Sequence, residues 1–215
     1  RRSSDLVLST GIGTDNIDIV VNELDALVNI DLRTRTEKEE KTRLTLVRLG
    51  TCGAIRPELQ LGDRILSRIS VGLDGLLNFY EGSEAVCDRE MERAFVEHTG
   101  WNSRLATPYF VRCSDYLAEL FAPDTVYAPQ GRYLRLAPAD RRLNEKIESF
   151  EYGGHRFTNF EMEGSALAGL SRLMGHDAVT ICTVIAQRVA LESDTDYRPF
   201  VDKMIATCLE KLAGI

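Results

Sequence analysis

The sequence predicts a single α/β domain. The chain has 215 residues, and a domain of that length buries enough apolar surface to fold without disulfides or metals. Residues 6–9 resemble the end of a buried strand that leads through Gly11 and Gly13 into an amphipathic helix, which is the strand, turn and helix unit of α/β proteins. Residues 178–186 form a continuous apolar run, typical of a strand buried on both faces of a sheet.

Composition excludes several classes of protein. The formal net charge of -7 argues against a general nucleic-acid surface, because phosphate backbones are held chiefly by clustered Lys and Arg. No charged and apolar leader and no apolar run of membrane-spanning length is present, which predicts a protein that contacts no membrane. The five cysteines have neither zinc-site nor disulfide spacing, so we expect no metal site and a reducing cytoplasm.

The remaining elements follow from hydrophobic periodicity and from helix boundaries. The charged run 33–43 is interpreted as a solvated linker or helix end. Strands are predicted at 44–49 and 63–71, and helices at 84–98, 114–121, 139–150, 166–174 and 196–212. The last of these helices carries an unbroken apolar stripe and is assigned to packing.

The segment from Arg48 to Gly53 is a candidate phosphate site. Gly50 and Gly53 are expected to form a tight turn at the end of the strand, where the backbone approaches a ligand closely. Arg48 supplies a fixed fork of donors and Thr51 a hydroxyl. The alternative is an ordinary turn beside an arginine. The earlier glycine turn is no dinucleotide fingerprint, because Asn16 occupies the third glycine position.

The segment Thr158–Ser165 contains two carboxylates that flank Met162, immediately before a helix. Residues two apart share a direction in a strand but diverge by about 200° on a helix. We therefore expect one of Glu161 and Glu163 to cap the helix and the other to face a pocket. Met162 offers a soft apolar surface to a sugar or a base ring. The alternative is that both acids merely stabilise the positive end of the helix.

Gln130 and Arg132 form a candidate base-reading pair. An amide supplies both a donor and an acceptor, and a guanidinium adds fixed donors, so together they match the edge of a pyrimidine. A polar surface turn is the alternative interpretation. A further arginine, Arg188, follows the last buried strand.

These motifs, in this order over nearly the full length, resemble the uridine phosphorylase branch of the nucleoside phosphorylase family. The resemblance implies a three-layer sandwich with a central mixed, partly barrel-like sheet flanked by helices. It also implies a homo-oligomer, either a dimer or a hexamer built from dimers. Inorganic phosphate would be a co-substrate, with no metal and no organic cofactor. The family's N-terminal strand and part of the loop before Gln130 are absent, so we expect residues to be missing at both places from the single domain that spans 1–215.

The resemblance also implies a role for each candidate residue. The catalytic residues would be Arg48, Glu163 and Arg132. The binding groups would be Arg48, Gly50 and Thr51 for phosphate, Thr51, Met162 and Glu163 for ribose, and Gln130, Arg132, Arg188 and Tyr127 for the base.

The expected reaction is phosphorolysis of uridine, extending to deoxyuridine or thymidine, to uracil and a pentose 1-phosphate. Cleavage of the glycosidic bond produces an oxocarbenium-like sugar, so an anionic nucleophile is needed on one face and positive charge near the departing base on the other. Two alternatives are open: a purine nucleoside phosphorylase or nucleosidase, whose members carry a proton-donating aspartate near the place of Arg188, and a nucleoside-binding homologue without turnover.

Overall fold

The computed structural model describes residues 6–121, 139–193 and 196–214. Within them, the helices are α1 (Thr14–Asn29), α2 (Ser83–Val86), α3 (Arg89–Thr99), α4 (Asp115–Phe121), α5 (Leu143–Ser149), α6 (Gly164–Met174) and α7 (Arg198–Leu212). The strands are β1 (Ile30–Asp31), β2 (Thr36–Glu37), β3 (Thr45–Ala54), β4 (Arg64–Leu66), β5 (Ile69–Gly72), β6 (Tyr109–Arg112), β7 (Glu151–Tyr152), β8 (His155–Arg156), β9 (Asn159–Phe160), β10 (Asp177–Gln187) and β11 (Glu192–Ser193).

The central sheet is mixed and curls into a half-barrel. Its strands follow the order β11, β10, β3, β9, and β4 pairs with β10 as well. The two long strands, β3 and β10, are parallel along their whole length, whereas their other partners are antiparallel. The predicted α/β class and the partly barrel-like mixed sheet are confirmed.

Alternate residues of the two long strands meet different layers of helices. Leu46 and Ala178 pack against α1 and α6, and Val47 and Val179 pack against α4 and α7. Such period-two alternation is the expected geometry of a strand covered on both faces. An aromatic cluster around Phe95 forms a further part of the core, among β5, β6, α3 and α5. The helices on both faces confirm the predicted layering.

The predicted turn at Gly50 and Gly53 is wrong, because β3 continues through both glycines to Ala54. A β-carbon on Gly50 would lie 2.8 Å from three atoms of the Arg48 guanidinium. One on Gly53 would lie 2.7 Å from Arg188 Nε. These glycines therefore give space to two arginine side chains rather than reversing the chain.

Three other sequence predictions need correction. Residues 6–9 are not in a strand, and Leu6 and Val7 are exposed, so the apolar run there packs into no sheet within the described residues. The predicted strand 63–71 is two strands, β4 and β5, which pair in different sheets. The predicted helix 84–98 is also divided, since Asp88 begins α3 by accepting the Met91 N–H through its side chain.

None of the helices in the described part of the chain is long and apolar enough to cross a membrane.

Candidate active site

The candidate site is centred on Arg48, which points from β3 into the layer between the sheet and helices α1 and α6. Its side chain is 14% exposed and contacts two buried carboxylates, those of Glu161 and Glu163. Arg48 shares its strand face with Leu46, which packs against α1 and α6. Gly50, on the same face, leaves room for the guanidinium to lie along the strand.

Glu163 connects three elements of the fold. Its Oε1 accepts the N–H of Gly13 at 2.6 Å, and its Oε2 accepts a hydrogen bond from Arg48 Nη2. Gly13 has φ of 99°, in a region that favours glycine, and directly precedes α1. The glycine turn at the start of α1 thus provides a donor to Glu163, which itself lies at the start of α6.

Glu161 caps helix α6. Its carboxylate accepts the backbone N–H groups of Glu163 at 2.9 Å and of Gly164 at 2.8 Å, and it lies 3.1 Å from Arg48 Nη1. Unpaired N–H groups at a helix start require such acceptors. The prediction that one carboxylate caps the helix is confirmed, and that the other, Glu163, faces a pocket stays a prediction.

The charges of this cluster do not balance, since one guanidinium faces two carboxylates. Burial by itself would lower the pKa of Arg48, but attraction to Cys182, Glu161 and Glu163 outweighs that effect and raises the pKa above its ordinary value. Arg48 therefore carries its positive charge at neutral pH. An arriving phosphate would meet an excess negative charge, so this cluster alone favours an anion less than a single arginine would.

Two cysteines in the site were missed by sequence reasoning. Arg48 Nη1 donates to Cys182 Sγ at 3.3 Å, and a hydrogen bond between Cys182 and Cys52, followed by burial, raises the pKa of Cys52. Both thiols are buried and look like ordinary core residues in the sequence. Only the register between β3 and β10 identifies them, because it aligns Cys182 with Gly50 on the face of Arg48.

Thr51 is not brought to this cluster. In the parallel register Thr51 is aligned with Thr183, whose hydroxyl donates to Met204 Sδ in α7. Strand alternation therefore places Thr51 on the sheet face opposite Arg48. Its assignment to phosphate and ribose stays a prediction.

Met162 lies between the two glutamates of the cluster, and Arg188 packs on Phe160, the residue before Glu161. The Arg188 guanidinium carbon lies 4.9 Å from the centroid of the Phe160 ring, a cation–π contact beside Gly53. Met162 is 43% exposed although the glutamates on either side of it are buried. An exposed thioether between two fixed carboxylates is accessible to a ligand, as the ribose assignment requires.

The other predicted base-binding residues, Tyr127, Gln130 and Arg132, lie outside the described residues. Of the three predicted catalytic residues, the structure brings Arg48 and Glu163 together. The described ranges contain no group of three or more His, Cys, Asp or Glu residues placed to hold a metal ion.

Sequence comparison finds relatives among the nucleoside phosphorylases. The profile of the Phosphorylase superfamily matches residues 5–215. The uridine phosphorylase of Thermococcus kodakarensis is 31% identical over 194 residues, covering 86% of this chain and 59% of that protein. The uridine phosphorylase of Escherichia coli is 28% identical over 190 residues, covering 87% and 65%. This chain thus spans less than two thirds of the length of these uridine phosphorylases.

Two further matches broaden the comparison. A DeoD-type purine nucleoside phosphorylase of Hahella chejuensis is 26% identical over 215 residues, covering 97% of this chain and 75% of that protein. The fold is shared with a Trypanosoma brucei nucleoside phosphorylase that shows uridine phosphorylase activity, with a TM-score of 0.76 at 23% identity over 96% of this chain and 79% of that one. The profile match over nearly the whole chain shows that this protein belongs to the phosphorylase superfamily.

Proposed function

We propose that this protein catalyses phosphorolysis of uridine with inorganic phosphate, giving uracil and ribose 1-phosphate. The observation that carries the proposal is the position of Glu163, which is fixed at the start of α6 by Gly13 and Arg48. The relatives named uridine phosphorylase support the choice of nucleoside. The role would be pyrimidine nucleoside salvage, in the cytoplasm, with deoxyuridine or thymidine as further substrates.

Glu163 would hold the ribose. Each carboxylate oxygen has two acceptor sites, so the contacts to Gly13 and Arg48 leave capacity for two sugar hydroxyls. Because its orientation is set before substrate arrives, little reorganisation is needed as the sugar becomes electron-poor. The exposed Met162 would cover the apolar face of the sugar.

Arg48 would orient phosphate for attack on the sugar. A guanidinium has five donors, and phosphate matches its planar fork. Because Arg48 is already shared by Glu161 and Glu163, we infer that phosphate binding needs a second cationic group to offset the excess negative charge. Gly50 would contribute through the space that it leaves for the guanidinium itself.

The base would leave next to positive charge. Arg188, stacked on Phe160, and the predicted pair Gln130 and Arg132 would stabilise the negative charge that develops on uracil. This mechanism requires no metal and no organic cofactor. We also propose a homo-oligomer, a dimer or a hexamer built from dimers.

Two enzymatic alternatives each have a supporting observation. The DeoD-type relative aligns over 97% of this chain and favours a purine nucleoside phosphorylase. The excess negative charge around Arg48 favours a nucleosidase, in which neutral water replaces phosphate. Against a purine substrate, Arg188 is a poor proton donor near neutral pH and cannot protonate a departing purine ring. A third alternative is a nucleoside-binding protein without turnover.

Release of uracil from uridine, measured by ultraviolet absorbance with and without phosphate, separates these functions. The proposal predicts release that depends on phosphate and a kcat/KM for uridine well above that for inosine at saturating phosphate. Equal turnover of inosine would favour the purine branch. Release without phosphate would favour the nucleosidase, and nucleoside binding without release would favour the non-catalytic protein.

A further inference from the structure

A polar cleft lies at the other end of helix α6 from the Arg48 cluster. It has a volume of about 450 Å³ and is lined by arginines from three elements, Arg43, Arg112 and Arg172. Arg43 precedes β3, Arg112 ends β6 and Arg172 is in the last turn of α6. The cleft shares no residue with the Arg48 cluster.

The arginines of this cleft offer hydrogen-bond donors to an anion. Arg112 and Arg172 are adjacent, since Arg172 Nη1 donates to the Arg112 carbonyl at 3.3 Å. Arg112 Nη2 also lies 3.2 Å from Asp88 Oδ2, and Arg43 Nη2 lies 2.7 Å from Asp177 Oδ1. A guanidinium has five donors, so each of these arginines has others to offer beyond these contacts.

One of the two lining carboxylates, Asp177, is already paired. Asp177 Oδ1 accepts from both Arg43 and the Ser114 hydroxyl. His176 lines the cleft as well, with its Nε2 3.2 Å from Asp25 Oδ1. Asp115 is the remaining lining carboxylate, and it lies in the first turn of α4. Three arginines line the cleft against two lining carboxylates, and Asp88, outside the lining, pairs with Arg112, so an anion would be held by the guanidinium donors that these contacts leave over.

The size and shape of the cleft indicate the class of ligand. Pockets for small organic molecules have volumes of roughly 300–1,000 Å³, so this cleft has room for more than an inorganic ion. The exposed ring of Tyr116 adds a flat surface beside the arginines. Arginine forks match phosphate oxygens, and an aromatic face suits a sugar or a base.

We propose that this cleft is a binding site for a phosphate monoester, such as a sugar phosphate or a nucleoside monophosphate. Helix α6 lies between this cleft and the Arg48 cluster, with Glu163 at its start and Arg172 in its last turn. Eleven helical residues separate the two ends by about 16 Å, and the first eight of them are buried, so the helix joins the two sites as one packed element.

Calorimetric titration of the full chain with ribose 5-phosphate, uridine monophosphate and inorganic phosphate tests the proposal. We expect both esters to bind more tightly than inorganic phosphate. The double variant Arg112→Ala/Arg172→Ala should weaken ester binding by about tenfold or more, as expected for the loss of charge-assisted hydrogen bonds. Arg142→Ala, which removes an exposed arginine paired with Glu145 outside the cleft, is the matched control.

A further variant separates this cleft from the candidate active site. If the esters bind in the cleft, Arg48→Lys leaves their affinity unchanged; if they bind at the Arg48 cluster, that substitution weakens their binding by about tenfold or more and the proposal is overturned. Unchanged ester affinity in the double variant also overturns it, as does the absence of ester binding to the unmodified chain. Melting curves establish that each variant is folded, and Arg172→Gln alone serves if the double variant is not. A preference for uridine monophosphate over ribose 5-phosphate would assign Tyr116 to the base.

Discussion

The guanidinium of Arg48 lies against Gly50, so close that a β-carbon at residue 50 would be 2.8 Å from its central carbon and from both terminal nitrogens. Arg48 is at the same time held by Glu161, Glu163 and Cys182. A larger residue at position 50 therefore displaces the arginine from a fixed set of partners rather than from open solvent. The glycine serves to position a side chain.

Gly50→Ala is expected to lower kcat/KM for phosphorolysis by about tenfold to a hundredfold, since small misplacements of a binding group are costly in a preorganised site. The unfolding free energy should fall by about 1–3 kcal/mol, the usual cost of overpacking. Steady-state kinetics and urea unfolding measure the two effects. Thr45→Ala, at the exposed start of the same strand, is the control. Full activity of Gly50→Ala would show that Arg48 need not occupy its observed position.

The two glutamates are expected to respond differently to neutralisation. Glu163→Gln should keep the fold, because it changes one polar group for another of the same size. It should raise the activation free energy by about 2–3 kcal/mol, which lowers kcat by about thirtyfold to a hundredfold, because it weakens the acceptor proposed for the sugar hydroxyls. Near-normal activity of the purified Glu163→Gln protein would remove this residue from the site.

Glu161→Gln provides the contrast, because Glu161 accepts two backbone N–H groups with its two oxygens. An amide has one such oxygen, so the unfolding free energy should fall by about 1–2 kcal/mol through loss of the cap. Chemical unfolding of both variants compares them. A Glu161→Gln protein as stable as the unmodified chain would show that capping by Glu161 does not stabilise α6.

The sequence made part of this site predictable. The divergence of Glu161 and Glu163 follows from their position at a strand-to-helix boundary, and the apolar run of β10 identifies a buried strand without any knowledge of its partners. The contact between Gly13 and Glu163 spans 150 residues and depends on how α1 packs beside α6. Local periodicity contains no information of that kind, so the acceptor of the Gly13 N–H could not be assigned.

The error at Gly50 has the same origin. A pair of glycines three residues apart is typical of a turn, and only the register with β10 shows that the strand continues. Likewise, Cys52 and Cys182 are indistinguishable from core cysteines until β3 and β10 are aligned. The pairing of β3 with β10 therefore determines both the continuation of the strand through Gly50 and the position of the two cysteines, which the local sequence pattern does not.

Arg48→Lys is expected to raise the KM for phosphate by about tenfold or more while the KM for uridine changes by less than about threefold. An ammonium group keeps the charge but lacks the planar fork that binds two partners at once. This substitution is preferable to Arg48→Ala, which would leave two buried carboxylates unpaired and cost about 3–5 kcal/mol of stability. Initial rates over a grid of both substrates provide the two constants. A change confined to the uridine constant would assign Arg48 to the nucleoside instead.

Cys87 is expected to make the free energy of unfolding fall as the pH rises above about 8.5. Burial, and secondly the nearby Glu92 carboxylate, raise the pKa of this thiol to about 12. The unfolded chain therefore loses the Cys87 proton near pH 8.5 to 9, whereas the folded state keeps it. The contribution of Cys87 to the free energy of unfolding is complete below that pH. It decreases as the pH rises toward 12. The measurement is the difference in urea unfolding midpoint between the unmodified chain and Cys87→Ala, taken at pH 8, 9.5 and 10.5. An unchanged difference across this range would contradict the assignment.

Arg188→Met is expected to slow phosphorolysis of uridine by affecting the departure of the base. Arg188 lies over Phe160 and beside Gly53, where a neutral side chain of similar length keeps the apolar contact and removes the charge. Loss of one electrostatic stabiliser of a developing anion costs about 2.7–4 kcal/mol, a factor of roughly a hundred to a thousand in kcat. The KM for phosphate should stay within about threefold, because Arg188 is assigned to the base alone.

A nucleoside whose base is a better leaving group, such as 5-fluorouridine, needs less of this stabilisation, so its rate should fall by a smaller factor than that of uridine. The measurement is kcat for both nucleosides in the unmodified chain, in Arg188→Met and in the exposed control Arg142→Met. Equal losses for uridine and 5-fluorouridine would mean that Arg188 positions the nucleoside without stabilising the leaving base.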